Sequence, residues 1–132
     1  MMAKTSGNRR PDETLIYVVD DEPMLVELTS VILKPMGYNV RTFLSADDAL
    51  AEIQRLQRCP HLIVTDYAMH NLTGMDLLEA TRRIDPRQKV LLVSGTVGEE
   101  IFARSPVKPD AFLPKPFQAR DLMDAVKSLL AE

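Results

Sequence analysis

Polar side chains follow four short apolar runs of the sequence, at the points where each run ends. They are Asp20 and Asp21 after the first run, Asp66 after the third, Ser94 after the fourth and Lys115 after the fifth. The runs are rich in branched residues, which is typical of buried strands. Because ligands bind outside the carboxyl ends of the strands in an open parallel sheet, we expect three carboxylates, a hydroxyl and an ammonium group to converge there.

Three carboxylates gathered at one edge require a positive charge. Their mutual repulsion raises the pKa of at least one of them unless a cation offsets it. Mg²⁺ suits carboxylate and carbonyl oxygens, keeps several waters and commonly bridges protein to phosphate. The combination therefore predicts phosphoryl chemistry, in which a carboxylate attacks phosphorus, the metal and the lysine neutralise its oxygens, and the hydroxyl donates a hydrogen bond.

Repeated strand-helix units must position these residues. The apolar runs predict strands over residues 15–19, 38–42, 62–65, 90–93 and 111–113. Their near-continuous hydrophobicity indicates strands that are buried on both sides. We therefore predict an α/β, doubly wound fold, with one parallel sheet covered by helices on both faces.

Capping residues and apolar spacing predict the helices. The first begins at Pro23 and ends before Gly37, whereas Ser45 and Thr73 cap the second and third, and the last covers about residues 119–130. The residues expected to face inward are Leu25, Leu28, Ile32, Leu33 and Met36, then Ala49, Leu50, Ile53 and Leu56, then Leu77, Leu78, Thr81 and Ile84, and finally Leu122, Val126, Leu129 and Leu130.

The fourth connection differs from the others. Pro106 and Pro109 fall where a full crossover helix would otherwise run between the fourth and fifth strands. Proline removes a backbone donor and disfavours helix in the residue before it. We expect a short helix over about residues 99–104, followed by irregular chain.

Composition bounds the class of protein. The 132 residues are 45% hydrophobic, which suits a single domain over residues 14–132 after a flexible tail over residues 1–13. A net charge of −3 with scattered basic residues disfavours direct nucleic-acid binding. The absence of an apolar run of about 20 residues disfavours a membrane span, so we expect a cytoplasmic protein. Cys59 is the single cysteine, which excludes an internal disulfide.

Four segments together resemble the receiver domains of two-component response regulators. They are VVDDEP at 18–23, LIVTD at 62–66, LVSG at 92–95 and FLPKPF at 112–117. Each segment alone is a weak signal, but all four in this order and spacing are specific, and the resemblance covers residues 15–130. It implies a flavodoxin-like sheet of five strands in the order 2-1-3-4-5.

The resemblance also implies roles for the acidic residues. Asp66 would be the phosphoacceptor. Asp21 would bind Mg²⁺ directly and Asp20 often through water, while the backbone carbonyl of Ala68 would complete the protein ligands. The implied cofactor is therefore Mg²⁺.

The same resemblance assigns the remaining site residues. Ser94 would donate a hydrogen bond to the phosphoryl group, and Lys115 would pair with it. Phe112 stands at the family's aromatic switch position and would move inward when Ser94 is drawn toward the phosphoryl oxygen. The peptide between Lys115 and Pro116 would be cis, as it commonly is in this family.

Several positions depart from the family's commonest pattern. His70 stands where a proline often follows methionine and would loosen the loop, whereas Thr73 replaces an aspartate but still supplies a helix cap. Ala68 and Thr96 occupy the positions that tune the phosphoryl lifetime. His61 and His70 flank the third strand without a third nitrogen or sulfur partner, so they are interpreted as surface or loop residues and not as a zinc site.

The leading hypothesis is a phosphorylation-dependent signalling module that is not an enzyme acting on other substrates. Its phosphodonor would be a sensor histidine kinase or a histidine phosphotransfer protein. A downstream protein would bind the face that runs from the short fourth helix to the last, fifth helix. The module would be a monomer or a phosphorylation-dependent dimer. No output domain is expected, although the chain could equally be a receiver cut from a longer protein.

Two other classes compete with this hypothesis. An unphosphorylated docking module would need none of the acceptor, acid pair, hydroxyl and lysine. A hydrolase like the haloacid dehalogenase phosphatases would form the same aspartyl-phosphate, but that family has an acid two residues after its acceptor, where Ala68 stands here. The chain is also short for a substrate-covering domain, so the hydrolase ranks last.

Overall fold

The computed structural model describes residues 13–95 and 98–132. Within these residues, five parallel strands form one sheet in the order β2-β1-β3-β4-β5. The strands are β1 (Leu15–Val19), β2 (Asn39–Phe43), β3 (Leu62–Asp66), β4 (Lys89–Ser94) and β5 (Ala111–Pro114). The predicted doubly wound fold and strand order are confirmed, and each strand lies within one residue of its predicted bounds.

Four α-helices connect or follow these strands in the described part of the chain. They are α1 (Pro23–Leu33), α2 (Ala46–Leu56), α3 (Gly74–Ile84) and α4 (Ala119–Ala131). The predicted caps are present, since Ser45 accepts the Asp48 N–H and Thr73 forms a reciprocal capping box with Asp76. From residue 98 onward, where the connection between β4 and β5 is described, it contains a 3-10 helix, Glu99–Ile101, and turns as far as Arg104, in agreement with the shortened helix predicted there.

Alternating strand residues build one core on each face of the sheet. Tyr17, Ile63 and Leu92 pack on the side of α2 and α3. Their neighbours Val18 and Val64 pack on the opposite side, with α1 and α4. β1, β3 and β4 are therefore buried on both faces, as predicted. The prediction is wrong for the edge strands β2 and β5, which contain no fully buried residue because each has a neighbouring strand on one side only.

Three residues predicted to face inward are exposed instead. Leu28 is 52%, Leu56 is 43% and Ile84 is 45% exposed. Leu56 and Ile84 are the last residues of α2 and α3, where no further helical turn covers them. In α1 the buried residues are Val26, Thr29, Ser30 and Leu33, so the helix turns two small polar side chains toward the sheet and leaves Leu28 outside.

Two predictions fall outside the described residues. The predicted flexible tail lies there, except for Glu13, and so does Thr96, one of the two positions expected to tune the phosphoryl lifetime. In the part that is described, none of the helices has the length and apolar character needed to cross a lipid bilayer.

Candidate functional site

Three carboxylates meet at the carboxyl edge of β1 and β3. One ligand oxygen from each of Asp20, Asp21 and Asp66 lies within 4.8 Å of the other two. Asp20 is buried, whereas Asp21 and Asp66 are half-buried. β1 and β3 are paired in parallel at the centre of the sheet, with Val19 opposite Thr65, and this register brings the residues that follow them together. The predicted convergence of the acidic residues is confirmed.

Lys115 lies between two of these carboxylates. Its Nζ is 3.2 Å from Asp66 Oδ1 and 3.4 Å from Asp20 Oδ2. Burial and the neighbouring Asp20 charge raise the pKa of Asp66, although Lys115 opposes this. Burial lowers the pKa of Lys115, but Asp20 and Asp66 outweigh that effect and leave it above its ordinary value. The negative charge at this edge is therefore only partly compensated by the protein.

Backbone hydrogen bonds align β4 and β5 with the acidic residues. The Tyr67 N–H donates to the Val93 carbonyl at 2.9 Å, and the Lys115 N–H donates to the Ser94 carbonyl at 2.8 Å. Ser94 is only 2% exposed and ends β4, next to the strand that carries Asp66. The sheet thus brings Ser94 and Lys115 to the same edge, as predicted. The peptide between Lys115 and Pro116 is cis, as expected.

Phe112 is half-buried in β5, at the border of the core on the α2 and α3 side. Its ring centroid lies 5.9 Å from that of Phe102, and the two ring planes are inclined by 55°. Phe102 follows the short 3-10 helix. Any rotation of the Phe112 ring would therefore change its contact with the connection between β4 and β5.

The acidic edge opens into a cavity of about 550 Å³. Asp21, Asp66, Ala68 and Lys115 all line it. Ala68 is exposed, and it lies two residues beyond Asp66 in the loop that follows β3. Carboxylate oxygens and a carbonyl oxygen are the donors that a hard divalent cation prefers. The described residues at this edge therefore match the chemistry of a magnesium site.

Gly74 is a site residue that the sequence reasoning missed. Its N–H donates to the Tyr67 carbonyl at 2.9 Å. A Cβ at this position would overlap the backbone carbonyl of Asp66 and approach Leu92 Cδ1 to 2.7 Å. The start of α3 can therefore lie directly against the backbone of Asp66 only because residue 74 has no side chain. The position of this glycine, directly after the helix-capping Thr73, was the sequence feature that could have indicated its role.

His70 was interpreted as a loop histidine, but the structure places it against an acidic residue of the site. Its Nδ1 lies 2.9 Å from Asp21 Oδ2, and its backbone N–H donates to the same oxygen at 3.3 Å. The spacing of residues along the sequence could not predict this contact, because the two residues are 49 positions apart. His61 instead accepts the Leu15 N–H on its Nδ1 at 2.9 Å, away from the acidic edge.

The sequence also matches a known protein family. The family model described as response regulator receiver domain matches residues 16–127. The chain belongs to this family of receiver domains. The match covers all five strands and most of α4, so it includes each of the site residues described above.

Individual relatives agree with this assignment of the receiver domain. The nitrogen assimilation regulatory protein NtrX of Azorhizobium caulinodans is 39% identical over 112 residues, which are 82% of this chain and 24% of that protein. The response regulator receiver protein CpdR of Brucella abortus is 29% identical over 87% of this chain and 95% of its own length. A receiver domain structure from Methanospirillum hungatei JF-1 has a TM-score of 0.79 at 29% identity, covering 89% of this chain and 93% of that one.

The relatives differ in length more than in fold. The chain spans about half the length or less of several curated relatives that it matches, such as NtrX and the probable transcriptional regulatory protein TcrX of Mycobacterium tuberculosis. Because the similarity is confined to the receiver domain, it establishes the receiver domain of a two-component response regulator and no more.

Proposed function

We propose that this receiver domain accepts a phosphoryl group on Asp66 and that an ion held by the neighbouring carboxylates supports the transfer. One observation carries the proposal: Lys115 Nζ lies between Asp66 and Asp20, at 3.2 and 3.4 Å, and Asp21 lies beside them. A docking surface needs no such arrangement. Two carboxylates that share one cation beside a third carboxylate form an anionic pocket for a divalent ion and a nucleophile.

The proposed ligands are Asp21 and Asp66, with Asp20 contributing through water and Ala68 through its carbonyl oxygen. A bound Mg²⁺ supplies positive charge that neutralises the phosphoryl oxygens. Its charge also favours ionised Asp66, whose pKa burial would otherwise hold above the ordinary range. The ion would thus offset the repulsion within the pocket and keep the nucleophile charged.

The transfer step uses the residues in distinct roles. A carboxylate oxygen of Asp66 attacks the phosphorus of a phosphohistidine, the bond between phosphorus and the imidazole nitrogen breaks, and the imidazole leaves. Lys115 neutralises charge on the phosphoryl oxygens, and Ser94 donates a hydrogen bond to one of them. Hydrolysis of the aspartyl-phosphate by water releases inorganic phosphate and restores Asp66.

The switch couples this site to the connection between β4 and β5. Movement of Ser94 toward the phosphoryl group would open space for Phe112, which is then free to rotate inward. Because the Phe112 ring contacts Phe102, that rotation would loosen residues 98–108. Phosphorylation would therefore alter the face formed by this connection, β5 and α4.

The proposed partners follow from this division of the molecule. A sensor histidine kinase or a histidine phosphotransfer protein donates the phosphoryl group at the acidic edge. A downstream protein binds the altered face, or the group passes along a relay. Hydrogen exchange checks the face directly: phosphorylation should change exchange rates over residues 98–112 more than in α2. Equal changes in both segments would contradict the proposal.

Acetyl phosphate provides the direct test of the chemistry. We expect the intact mass of the wild type to rise by one phosphoryl group with Mg²⁺ and to stay unchanged in EDTA. Asp66→Asn should show no gain, whereas Asp124→Asn, an exposed change on α4, should behave like the wild type. If the wild type binds Mg²⁺ but is phosphorylated only by a protein, the phosphodonor must be a phosphohistidine protein and not a small molecule. If the wild type binds no Mg²⁺, the result supports an unphosphorylated docking module instead.

A further inference from the structure

The cavity beside the three carboxylates has an imidazole on its wall. His70 lines this cavity together with Asp21, Asp66 and Ala68. Its side chain is 95% exposed, and yet its Nδ1 lies 2.9 Å from Asp21 Oδ2. Packing does not hold the ring there, since almost all of its surface faces solvent. The contact with Asp21 is therefore the interaction that orients it.

The loop that follows β3 also fixes where this ring stands. The His70 N–H donates to Asp21 Oδ2 at 3.3 Å. Asn71 adopts a left-handed backbone with φ of 71°, and its Nδ2 donates to Asp47 Oδ2 at 2.8 Å. These two attachments tie both sides of the loop tip to α2 and to the residues after β1. His70 is thus presented to the cavity by the backbone as well as by its side chain.

The distance to Asp21 suits two ligands of one ion. In an octahedral site with bonds of about 2.1 Å, adjacent ligand atoms lie about 3.0 Å apart. The 2.9 Å between His70 Nδ1 and Asp21 Oδ2 matches that separation. An ion that replaces the proton between His70 Nδ1 and Asp21 Oδ2 can therefore bind both atoms without a large movement of either side chain. The proton passes to the other ring nitrogen or to solvent.

We propose that His70 is a further ligand of the divalent ion and that its ring nitrogen raises the affinity of the site for a late first-row transition dication relative to Mg²⁺. The inference rests on the ion site of the proposed function. Among the described residues that line this cavity, His70 supplies an imidazole nitrogen, whereas the Lys115 amine is a cation paired with two carboxylates.

Ligand chemistry gives the direction of the preference. Carboxylate, carbonyl and water oxygens suit Mg²⁺ and Mn²⁺, whereas imidazole adds affinity for the later metals in the order Mn²⁺, Co²⁺, Ni²⁺. Loss of His70 should therefore weaken Ni²⁺ binding about tenfold and leave Mg²⁺ binding within about twofold. If only oxygen atoms bind the ion, loss of His70 should weaken neither Ni²⁺ binding nor Mg²⁺ binding.

Two variants separate coordination from simple hydrogen bonding. His70→Ala removes the ring, and His70→Gln removes it but leaves an amide that can still donate to Asp21. Because the His70 side chain is almost fully exposed, both variants should fold, which circular dichroism verifies. If the imidazole is a ligand, both variants bind Ni²⁺ about tenfold more weakly than the wild type does. If the ring only steadies Asp21 through a hydrogen bond, His70→Gln binds Ni²⁺ as the wild type does, and the proposal is overturned.

Electron spin echo spectroscopy of bound Mn²⁺ detects the bond itself. The chain has two histidines, so labelling with ¹⁵N-histidine marks only His61 and His70. We expect a nitrogen modulation in the wild type that changes with the label and disappears in both His70 variants. Bound Mn²⁺ without nitrogen modulation would overturn the role of His70 and leave the proposed function intact. Absence of Mn²⁺ binding would overturn the proposed ion site together with it.

Discussion

The two halves of the sheet carry different parts of the site and are built differently. Asp20 and Asp21 follow β1, and Asp66 is the last residue of β3. The helices α2 and α3 both begin with side-chain caps. Ser94 ends β4 and Lys115 follows β5. Among its described residues, the connection between these strands contains one short 3-10 helix. The acidic half is therefore the rigid part of the site, and the other half is the part that the proposed phosphorylation would change.

A single side chain stabilises the connection in the second half. Lys108 Nζ donates to the carbonyls of Phe102, Ala103 and Ser105 at 3.2, 3.1 and 2.8 Å. These bonds satisfy carbonyl groups that a full helix would have paired internally. The cluster of three carboxylates is therefore preformed, whereas the connection between β4 and β5 is held in part by these exposed hydrogen bonds.

Disrupting the rigid half should have the largest effect. In Gly74→Ala the new methyl group overlaps the Asp66 carbonyl and contacts Leu92, so α3 must move away from β3. We expect the free energy of unfolding to fall by about 2–3 kcal/mol and phosphorylation by acetyl phosphate to slow. Chemical denaturation and intact mass measure these effects.

Gly98→Ala is the matched control for that substitution. Its Cβ would meet only the flexible Glu100 carboxylate in the second half, so its stability should remain near that of the wild type. Equal losses in the two variants would remove the distinction between a rigid and an adaptable half.

The next effect concerns the cation that joins the halves. Lys115→Met removes the ammonium group that Asp20 and Asp66 share. The buried Asp20 and the half-buried Asp66 then lack this cation. We expect a loss of about 1–3 kcal/mol at neutral pH in EDTA, with much of it recovered when Mg²⁺ is added. Lys127→Met, on an exposed position of α4, is the control. A loss that Mg²⁺ cannot reduce would show that Lys115 acts through packing and not through charge.

A smaller effect of opposite sign is expected at the acceptor. Burial and Asp20 raise the pKa of Asp66, so its ionisation disfavours the folded state once the pH exceeds the ordinary carboxylate range. Asp66→Asn removes that penalty and leaves Lys115 paired with Asp20. In EDTA at neutral pH we expect Tm to rise by a few degrees. The gain should vanish as the pH falls below about 4, where an ordinary aspartate is protonated.

Thermal unfolding at several pH values checks this sign. Asp124→Asn, on an exposed position of α4, should leave the pH profile unchanged. If Asp66→Asn is less stable than the wild type at neutral pH in EDTA, the carboxylate repulsion is not the dominant interaction at this edge.

The smallest effect on global stability should come from Lys108. Lys108→Met removes three exposed hydrogen bonds from the connection, so the free energy of unfolding should change by less than about 0.5 kcal/mol. Hydrogen exchange over residues 98–108 should nevertheless accelerate, while exchange in β1 and β3 stays constant. Lys34→Met, at another exposed lysine, is the comparison. Unchanged exchange over residues 98–108 would mean that other contacts hold this segment.

The sequence predicted those features that depend on local patterns. Apolar runs determine the strands to within a residue, and Pro106 with Pro109 predicted the shortened fourth helix. The ends of strands also predicted which side chains converge, because parallel strands bring their carboxyl ends to one edge. Periodicity failed for Leu28, since it cannot show that Thr29 and Ser30, two small polar residues, face the sheet.

Contacts between distant segments could not be predicted in this way. The approach of Gly74 to the Asp66 backbone depends on how closely α3 packs, and the contact of His70 with Asp21 depends on the path of a loop. Neither has a periodic signal in the sequence. Each contact depends on the type of one residue. Gly74 permits the close approach because it has no side chain. His70, which stands where the family often has proline, provides a backbone N–H and a ring nitrogen.

We propose that Asp66, and not Asp20 or Asp21, carries the phosphoryl group. Treatment of the phosphorylated protein with borohydride reduces an aspartyl-phosphate to homoserine, and peptide mass spectrometry then locates the altered residue. We predict homoserine at position 66 only, and only after incubation with acetyl phosphate and Mg²⁺. Homoserine at position 20 or 21, or a phosphoryl group that resists reduction by borohydride, would contradict this account.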